Sequence, residues 1–314
     1  MNHLICGFIS ETSLRENLKN IYLAIMVGTN YLNSKLYIKL SSIHLLFYLC
    51  LFIAAVSCPI KAQKNCTSTN KAFQAGESLN FKIYYNWGVI WMDAGEVSFS
   101  ATITELNARK VYHFVGAGGS YPKYDWFYKV NDKYESYFDT LTLKPLRFIR
   151  DVHEGGTSAK DDYIFNFQKN KIYTMEKRNN KPAKLDSINI TSCTNDIGTA
   201  IYYTRCLDFS KSKKNDTIPI TFVLDGKVYY SYIRYLGKEI INSELLGNVR
   251  CIKFSPKLVE GTIFKGGEGM VVWVTDDENK IPIYVETPII VGVIKVKLSG
   301  YCGLRNKVDC IISK

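Results

Sequence analysis

The chain has 314 residues, of which 46% are hydrophobic and 22% charged, and its formal net charge is +11. This composition excludes a disordered chain, and the length suffices for one large hydrophobic core or two moderate ones. The 22 Tyr and 16 Phe against 8 Pro favour β structure, because bulky side chains pack well on a pleated sheet.

The N-terminal segment has the basic and then apolar succession that is typical of an export signal. Lys35 and Lys39 supply the positive charges, and an uncharged apolar run extends from Ile43 to Val56. That run of about 14 residues is short for a hydrocarbon core of about 30 Å at about 1.5 Å per residue. It favours a cleaved leader over a membrane anchor. Residues 1–25 precede a more conventional start at Met26 and indicate an over-extended gene start.

Two processing routes are compatible with this leader. Cleavage after Ala62 leaves Gln63 as the first residue and places the mature protein in the periplasm or on the cell surface. Lipid modification of Cys58 would instead make a lipoprotein. We favour cleavage, because Ala55 is a poor residue three positions before a lipidated cysteine and Pro59 is unusual directly after one.

The mature chain keeps 35 basic and 27 acidic residues, so its net charge is +8. A basic surface favours anionic partners such as phospholipid or lipopolysaccharide headgroups. Nucleic acid is not expected, because no aromatic residues alternate with the lysines of the polar loop at 211–214. The expected partners are lipid, lipoprotein or envelope glycan. Membrane association is expected only through the leader or a lipidated Cys58.

Six cysteines remain after cleavage: Cys66, Cys193, Cys206, Cys251, Cys302 and Cys310. In an oxidising compartment they can form disulfides, with about 15 possible connectivities. We predict a Cys302–Cys310 disulfide, because it closes a short loop at a low entropic cost. Cys251 lies in an alternating segment and is expected to be a buried thiol. No C-x-x-C or Cys/His cluster indicates a metal site.

Most of the mature chain alternates apolar and polar residues with the period of half-buried strands. Two clear cases are 81–87 and 97–103, and the further predicted strands are 110–116, 132–138, 146–153, 162–168, 171–177, 218–224, 227–235, 249–254, 269–275, 281–286 and 290–298. Asp225-Gly226 predicts a tight hairpin turn, and Asp276 to Lys280 a solvated turn. One helix is predicted at 195–207, capped by Thr194 or Asn195, and a weaker one at 122–129.

These elements predict a linker at 63–75 and a single domain at 76–314. The fold class is mainly β: one strongly curved antiparallel sheet, a half-barrel or open barrel, with one or two short helices. No internal repeat or low-complexity tract divides the domain. The strand at 270–275 is apolar on both faces, as expected for a strand that is covered on both sides.

Four segments together resemble the bacterial family called domain of unknown function 3108. They are residues 73–97, the predicted helix TNDIGTAIYYTR at 194–205, CIKFSPKLVEGTIFK at 251–265 and, above all, the hairpin WVTDDENKIP followed by VGVIKVKL within 270–304. The resemblance implies an exported envelope protein of Gram-negative type, and it carries over no catalytic residues. The hairpin-rich pattern is also distantly similar to periplasmic lipoprotein-carrier folds, in which a half-barrel surrounds an apolar ligand.

A search for catalytic motifs gives no catalytic residue, cofactor or metal. His113 and His153 lie in predicted strands without a partner motif, and the glycine clusters at 116–119 and 266–269 match no phosphate-binding loop. Asp276 to Glu278 do not have the alternating spacing of a calcium loop.

Two classes of function stay open, with enzymes as a third. The first is a binding or carrier module whose concave face accepts an apolar or amphipathic envelope molecule. The candidate lining residues are Trp87, Trp91, Phe99, Trp126 and Trp273. The second class is a structural protein that contacts another envelope protein or a glycan. A hydrolase of envelope polymers, with carboxylates distant in sequence, is the third.

The leader pattern ends at Ala62 and therefore predicts that the mature protein begins at or near Gln63. N-terminal sequencing of protein from the native host checks this expectation. A folded protein that begins at Met1 or Met26 would contradict it, and an acylated Cys58 would support the lipoprotein route.

Overall fold

The computed structural model describes residues 68–87, 90–126, 128–260, 265–290 and 292–313. The leader, the lipidation alternative at Cys58, the predicted start at Gln63 and the thiol of Cys66 lie outside the described residues. Residues Gln63–Lys314 form one compact unit. None of the described helices has the length and apolar character needed to span a membrane.

The described residues form 18 strands, one α-helix and one 3-10 turn. The strands are β1 Glu77–Trp87, β2 Ile90–Leu106, β3 Arg109–Ser120, β4 Val130–Asp139, β5 Pro145–Glu154, β6 Thr157–Asn166, β7 Lys171–Arg178, β8 Lys184–Asn189, β9 Thr194–Asn195, β10 Thr217–Leu224, β11 Lys227–Ser243, β12 Gly247–Pro256, β13 Leu258–Glu260, β14 Lys265–Gly267, β15 Val271–Thr275, β16 Pro282–Pro288, β17 Val293–Cys302 and β18 Ile311–Ser313. The helix α1 is Ile197–Arg205, and the 3-10 turn is Pro122–Tyr124. The weak helix prediction at 122–129 is therefore reduced to one short turn.

Sixteen of these strands form one sheet in the order β8-β7-β6-β5-β4-β3-β2-β1-β17-β16-β15-β12-β11-β10-β9, with β18 beside β12. Neighbours are antiparallel, except that β9 and β10 are parallel. The sheet is curved but does not close into a barrel. Its curvature brings the β10–β11 turn against β6, where the Gly226 amide donates to the Tyr163 hydroxyl at 2.8 Å. The prediction of one curved antiparallel sheet is confirmed.

The Asp225-Gly226 hairpin turn is also confirmed. Both residues have positive φ, +47° and +64°, which is the backbone geometry of a two-residue turn that follows the twist of its strands. Bulges add to the curvature elsewhere. In the pairing of β2 with β1, Ala94 is an extra residue between Asp93 and Gly95, and an extra residue locally increases the twist of a strand.

Helix α1 packs against the aromatic residues of the neighbouring sheet. Asp196 caps it by accepting from the Thr199 amide at 2.8 Å, so the predicted cap at Thr194 or Asn195 is wrong. Those two residues form β9 instead. A Cβ on Gly198 would lie 2.2 Å from Ser136 Oγ, so glycine is what lets the helix lie this close to the sheet.

The N-terminal end of the described chain belongs to the core. The Phe73 ring lies 4.5 Å from the Tyr202 ring of α1, and both Ala72 and Phe73 are buried. The predicted linker at 63–75 is therefore wrong over its last residues. Phe73 precedes the first strand and fills the space beside α1. The alternation of residues within the strands gives no indication of this contact.

A buried ion pair joins α1 to β1. Arg205 donates to both carboxylate oxygens of Glu77, at 2.5 and 2.8 Å, and the Tyr202 hydroxyl donates to the same carboxylate at 3.2 Å. The Nε of Arg205 donates to the Asn279 carbonyl at 3.0 Å, and its Nη2 donates to the Ala72 carbonyl at 3.4 Å. Bidentate geometry and additional acceptors are what a buried charge pair needs to offset its desolvation.

We predict that Arg205→Met lowers the free energy of unfolding by about 3–5 kcal/mol, because it leaves the Glu77 carboxylate buried without a partner. Urea denaturation measures the effect. Glu77→Leu combined with Arg205→Met should be more stable than the single variant, since no charge then remains. Lys184→Met, which removes an exposed partner of Asp186, is the control and should leave the urea midpoint at that of the parent. A single variant as stable as the parent would contradict the role given to this pair.

Strand β15, the first strand of the hairpin predicted from the WVTDDENKIP segment, is part of the core. Val272, Trp273 and Val274 are consecutive buried residues of β15. Trp273 packs in the cluster that contains Leu79 and Cys310, whereas Val272 and Val274 pack in the cluster that contains Phe254 and Tyr203 of α1. A strand that is apolar on both faces is thus covered on both faces, as predicted.

The turn that follows β15 is organised by buried polar contacts and is not simply solvated. Asp277 Oδ1 accepts from Thr275 Oγ1 at 2.7 Å and from the amides of Asn279 and Lys280 at 3.0 and 3.1 Å. The Asn279 side chain is fully buried, donates to the carbonyls of Asn306 and Lys307 and accepts from the Asn306 amide. The prediction of a solvated turn is therefore wrong, because a C-terminal segment distant in sequence covers it.

We predict that Asp277→Ala lowers the free energy of unfolding by about 2 kcal/mol, because three hydrogen bonds to one carboxylate oxygen are lost. Asp277→Asn should cost less, because its carbonyl oxygen can accept the same three bonds. Glu278→Ala, in the same turn but exposed, is the control and should change stability by less than about 0.5 kcal/mol. Trp273→Ala should cost about 3–5 kcal/mol through cavity formation. Urea melts of the four variants are compared; equal melts for Asp277→Ala and Glu278→Ala would disprove the organising role.

The predicted Cys302–Cys310 disulfide is absent, since both thiols are free. Cys302 is exposed at the end of β17, whereas Cys310 is buried beside β12, where its thiol faces Asp277. The short loop between them thus places the two side chains in different environments. Cys193 is disulfide-bonded. Cys251 is the buried thiol that was predicted, and burial raises its pKa to about 12.

Candidate functional site

The structure does not bring the five predicted aromatic residues together. Phe99 is part of the interior core, with ring centroids 5.4 Å from Phe81 and 5.4 Å from Phe114. Trp91 lies on the same strand, but the bulge at Ala94 reverses the alternation between them. Trp91 therefore points to the opposite face, where Lys295 Nζ lies 4.1 Å from its ring centroid.

The other three residues lie on different elements: β15, the β3–β4 connection and the end of β1. Trp273 is four strand positions from Trp91, about 19 Å along the sheet, and its Nε1 donates to Glu239 at 3.1 Å. Trp126 is 81% exposed in the connection between β3 and β4. Trp87 is the last residue of β1, and its side chain lies outside the described part of the chain. No single concave surface contains this set.

A cleft of about 600 Å³ lies where β3 ends and β4 begins, against the middle of β1 and β2 and close to the β3–β4 connection. Its volume falls in the range of about 300–1,000 Å³ that is typical of small-molecule sites. Polar side chains and glycine main chain form most of its lining: Asn80, Glu96, Ser98, Gly118, Gly119, Ser120, Asp125, Lys129, Asn131 and Ser299, together with Phe81, Val97, Ala117, Pro122 and Val130.

Two features of the main chain shape this cleft. Ser299 is the extra residue of a bulge between β1 and β17, opposite Asn80 and Phe81. Gly118 and Gly119 allow the neighbouring strands to approach closely, because a Cβ on Gly119 would lie 2.7 Å from the Val130 carbonyl oxygen. Bulges and close glycine contacts are common beside binding sites, since they redirect side chains and leave space.

The cleft has both anchored and available polar groups. Ser120 Oγ donates to Asp125 at 3.3 Å and accepts from the Val130 amide at 3.0 Å, which fixes one wall. Within the described residues, no hydrogen bond or ion pair engages the side chains of Asn80, Glu96 and Asn131. An amide offers two donors and an acceptor, and a carboxylate offers acceptors. The cleft can therefore bind a ligand rich in hydroxyl groups.

A second polar group lies inside the curved sheet. Arg150 pairs with Asp161 at 2.6 Å and with Asp225 of the β10–β11 turn. Arg178 pairs with the same two carboxylates, at 3.1 Å to Asp225. Among the described residues, Nε of the buried Arg150 has no hydrogen-bond partner. The group attaches the hairpin turn to β5, β6 and β7. Most of its charges are paired with one another.

The rim of this interior holds a carboxyl group with a raised pKa. Burial, and then the charge of Glu154, raise the pKa of Asp132 to about 6, although the His153 amide donates to its carboxylate at 3.1 Å. Perturbed carboxyl groups can serve in catalysis. The lining of the cleft does not include Asp132, and His113 is already paired with Glu135 at 2.8 Å. The described residues contain no group of side chains that could hold a metal ion.

We predict that Asp132→Asn makes the free energy of unfolding less dependent on pH between about 4 and 7. The folded state holds the Asp132 proton up to about pH 6 and the unfolded state only to about 3.8, so the stability from this group falls as the pH rises through 6. At pH 7.5 the variant should be about 1 kcal/mol more stable than the parent, allowing for partial exposure. Urea melts at pH 5 and pH 7.5 measure this, with the exposed Glu105→Gln as control. A parallel pH dependence in both variants would refute the assignment.

Comparison with known families decides the classification of the chain. A family described as "Protein of unknown function (DUF3108)" matches residues 80–299. The chain belongs to the DUF3108 family. A search of curated proteins gave no match.

One solved structure extends the comparison to the fold. It is the crystal structure of a beta-barrel-like protein of domain of unknown function DUF1849 from Brucella abortus, at 10% identity and a TM-score of 0.50. The match covers 74% of this chain and 99% of that chain. This likeness shows a shared fold alone, and the DUF3108 match supplies the family.

Sequence reasoning missed the cleft of this DUF3108 protein. Its residues come from five strands and one connection, and few of them are aromatic. The signal present in the sequence is the glycine cluster at 116–119, which matches no phosphate-binding loop. In the structure it lies at the end of β3 and lets three strands approach closely.

Proposed function

We propose that this DUF3108 protein is a non-enzymatic binding module that holds the polar, hydroxyl-rich part of an amphipathic cell-envelope molecule in the cleft beside the β3–β4 connection. The observation that carries the proposal is the convergence of Asn80, Glu96 and Asn131, whose side chains have no partner among the described residues, on a cavity of ligand size. Export, expected from the leader, would place the module where such molecules occur.

The interior of the sheet supports a polar rather than a wholly apolar ligand. Helix α1 and the aromatic side chains Phe73, Phe114, Phe138 and Tyr202 occupy the face that a half-barrel carrier would leave open. An acyl chain would need space that these buried side chains already fill. The ligand class predicted from the sequence is thereby narrowed to amphipathic molecules that bind through their polar part, such as a glycolipid or a phospholipid headgroup.

The test is native purification from envelope, organic extraction and mass spectrometry of the released molecules, followed by titration of the extracted fraction. Ala117→Trp should block the cleft, and recovery of the bound molecule should fall at least about tenfold. Glu96→Gln with Asn131→Ala should weaken binding by about tenfold, equivalent to about 1.4 kcal/mol. Glu105→Gln, on the same strand but outside the cleft, is the matched control.

Three outcomes oppose this proposal in different ways. Equal recovery from the parent and Ala117→Trp would place the ligand elsewhere. Cross-linking to an envelope protein, with no extracted molecule, would favour the structural class. Turnover of an envelope polymer, abolished by Asp132→Asn, would favour the hydrolase class.

A further inference from the structure

Three connections lie side by side at one end of the sheet. Strands β4, β3, β2, β1, β17 and β16 are neighbours in that order, and all are antiparallel. The β1–β2, β3–β4 and β16–β17 connections therefore emerge at the same end, over about 24 Å at about 4.8 Å between strands. We call this the apolar end.

Each of these connections exposes a large apolar side chain. Ile90 is 63% exposed beside the β1–β2 connection, Trp126 is 81% exposed between β3 and β4, and Ile290 is 54% exposed between β16 and β17. Trp91 and Tyr128 add further exposed aromatic surface at the same end. A single exposed apolar residue is ordinary, but a group on adjacent elements marks an interaction site.

Cationic groups accompany these side chains. Lys123 lies 4.8 Å from the ring centroid of Tyr124 and 5.7 Å from that of Tyr121, and it forms no salt bridge within the described residues. Lys295 lies over the Trp91 ring, and its Nζ is 3.8 Å from the Glu286 carboxylate. Lysine stems that lie along aromatic rings keep their ammonium groups at the boundary between apolar and polar surroundings. The charge of +8 after the leader adds long-range attraction to an anionic surface.

We propose that the apolar end docks this protein onto the surface of an anionic phospholipid bilayer. Trp126, Ile90 and Ile290 enter the boundary between headgroups and acyl chains, and Lys123 and Lys295 lie at the level of the phosphates. Tryptophan, tyrosine and lysine are the residues that this boundary favours. Side chains that project singly from three separate connections suit a deformable bilayer, whereas a protein partner would need a matching pocket for each. This docking does not depend on the cleft and goes beyond the proposed function.

The experiment is flotation of the exported full-length product with vesicles of phosphatidylcholine that contain about one quarter phosphatidylglycerol. The parent should float with these vesicles and bind pure phosphatidylcholine vesicles several-fold more weakly. Ile90→Ala with Trp126→Ala should weaken binding at least about tenfold, because two apolar anchors are lost. Tryptophan fluorescence should shift to shorter wavelength on adding vesicles, and Trp126→Phe should remove most of that shift.

The matched control is Leu141→Ala, which removes an equally exposed apolar side chain from the β4–β5 turn at the other end of the sheet. It should bind vesicles within about twofold of the parent. Glu105→Gln, which lies outside both the cleft and the apolar end, should also bind vesicles within about twofold of the parent. A parent protein that does not float, or a Leu141 variant that loses as much as the double variant, would overturn the proposal.

Discussion

The buried ion pair between Arg205 and Glu77 is the contact on which the arrangement of the core depends. Arg205 ends the only α-helix of the described chain, and Glu77 begins the strand at which the N-terminal and C-terminal parts of the sheet meet. The same guanidinium group also holds the Ala72 and Asn279 carbonyl groups. One side chain thus connects the helix, the N-terminal segment and the turn after β15. Such a pair contributes more to a unique arrangement than to net stability, because its desolvation offsets much of its attraction.

The curvature of the sheet follows from these fixed points. Arg150 and Arg178 hold the β10–β11 turn against β5 to β7, on strands far from β10 in the sheet order. Bulges at Ala94 and Ser299 bend the sheet on either side of β1. The interior is then filled by α1 and aromatic side chains. The space for a ligand remains beside the β3–β4 connection, where glycines and bulges leave the strands unevenly spaced.

The cleft and the apolar end therefore lie next to each other for a structural reason. Both use the β3–β4 connection: Ser120 and Asp125 form one wall of the cleft, and Trp126 projects outward. A protein that rests on a bilayer through this end would hold its cleft near the headgroups. Membrane docking and binding of an amphipathic molecule would then use the same surface of the protein.

The local pattern of residues determined the elements of this fold. The two-residue alternation predicted the strands, the Asp225-Gly226 pair predicted its turn and the apolar pattern of β15 predicted burial on both faces, because each depends on neighbours in the chain. Tertiary structure alone decided the rest. One extra residue at Ala94 placed Trp91 and Phe99 on opposite faces, and a segment about 27 residues further along buried Asn279 within an apparently polar turn. Phe73 became core and Cys302 was separated from Cys310 for the same reason: burial and pairing depend on which distant segments pack together, and alternation carries no information about those contacts.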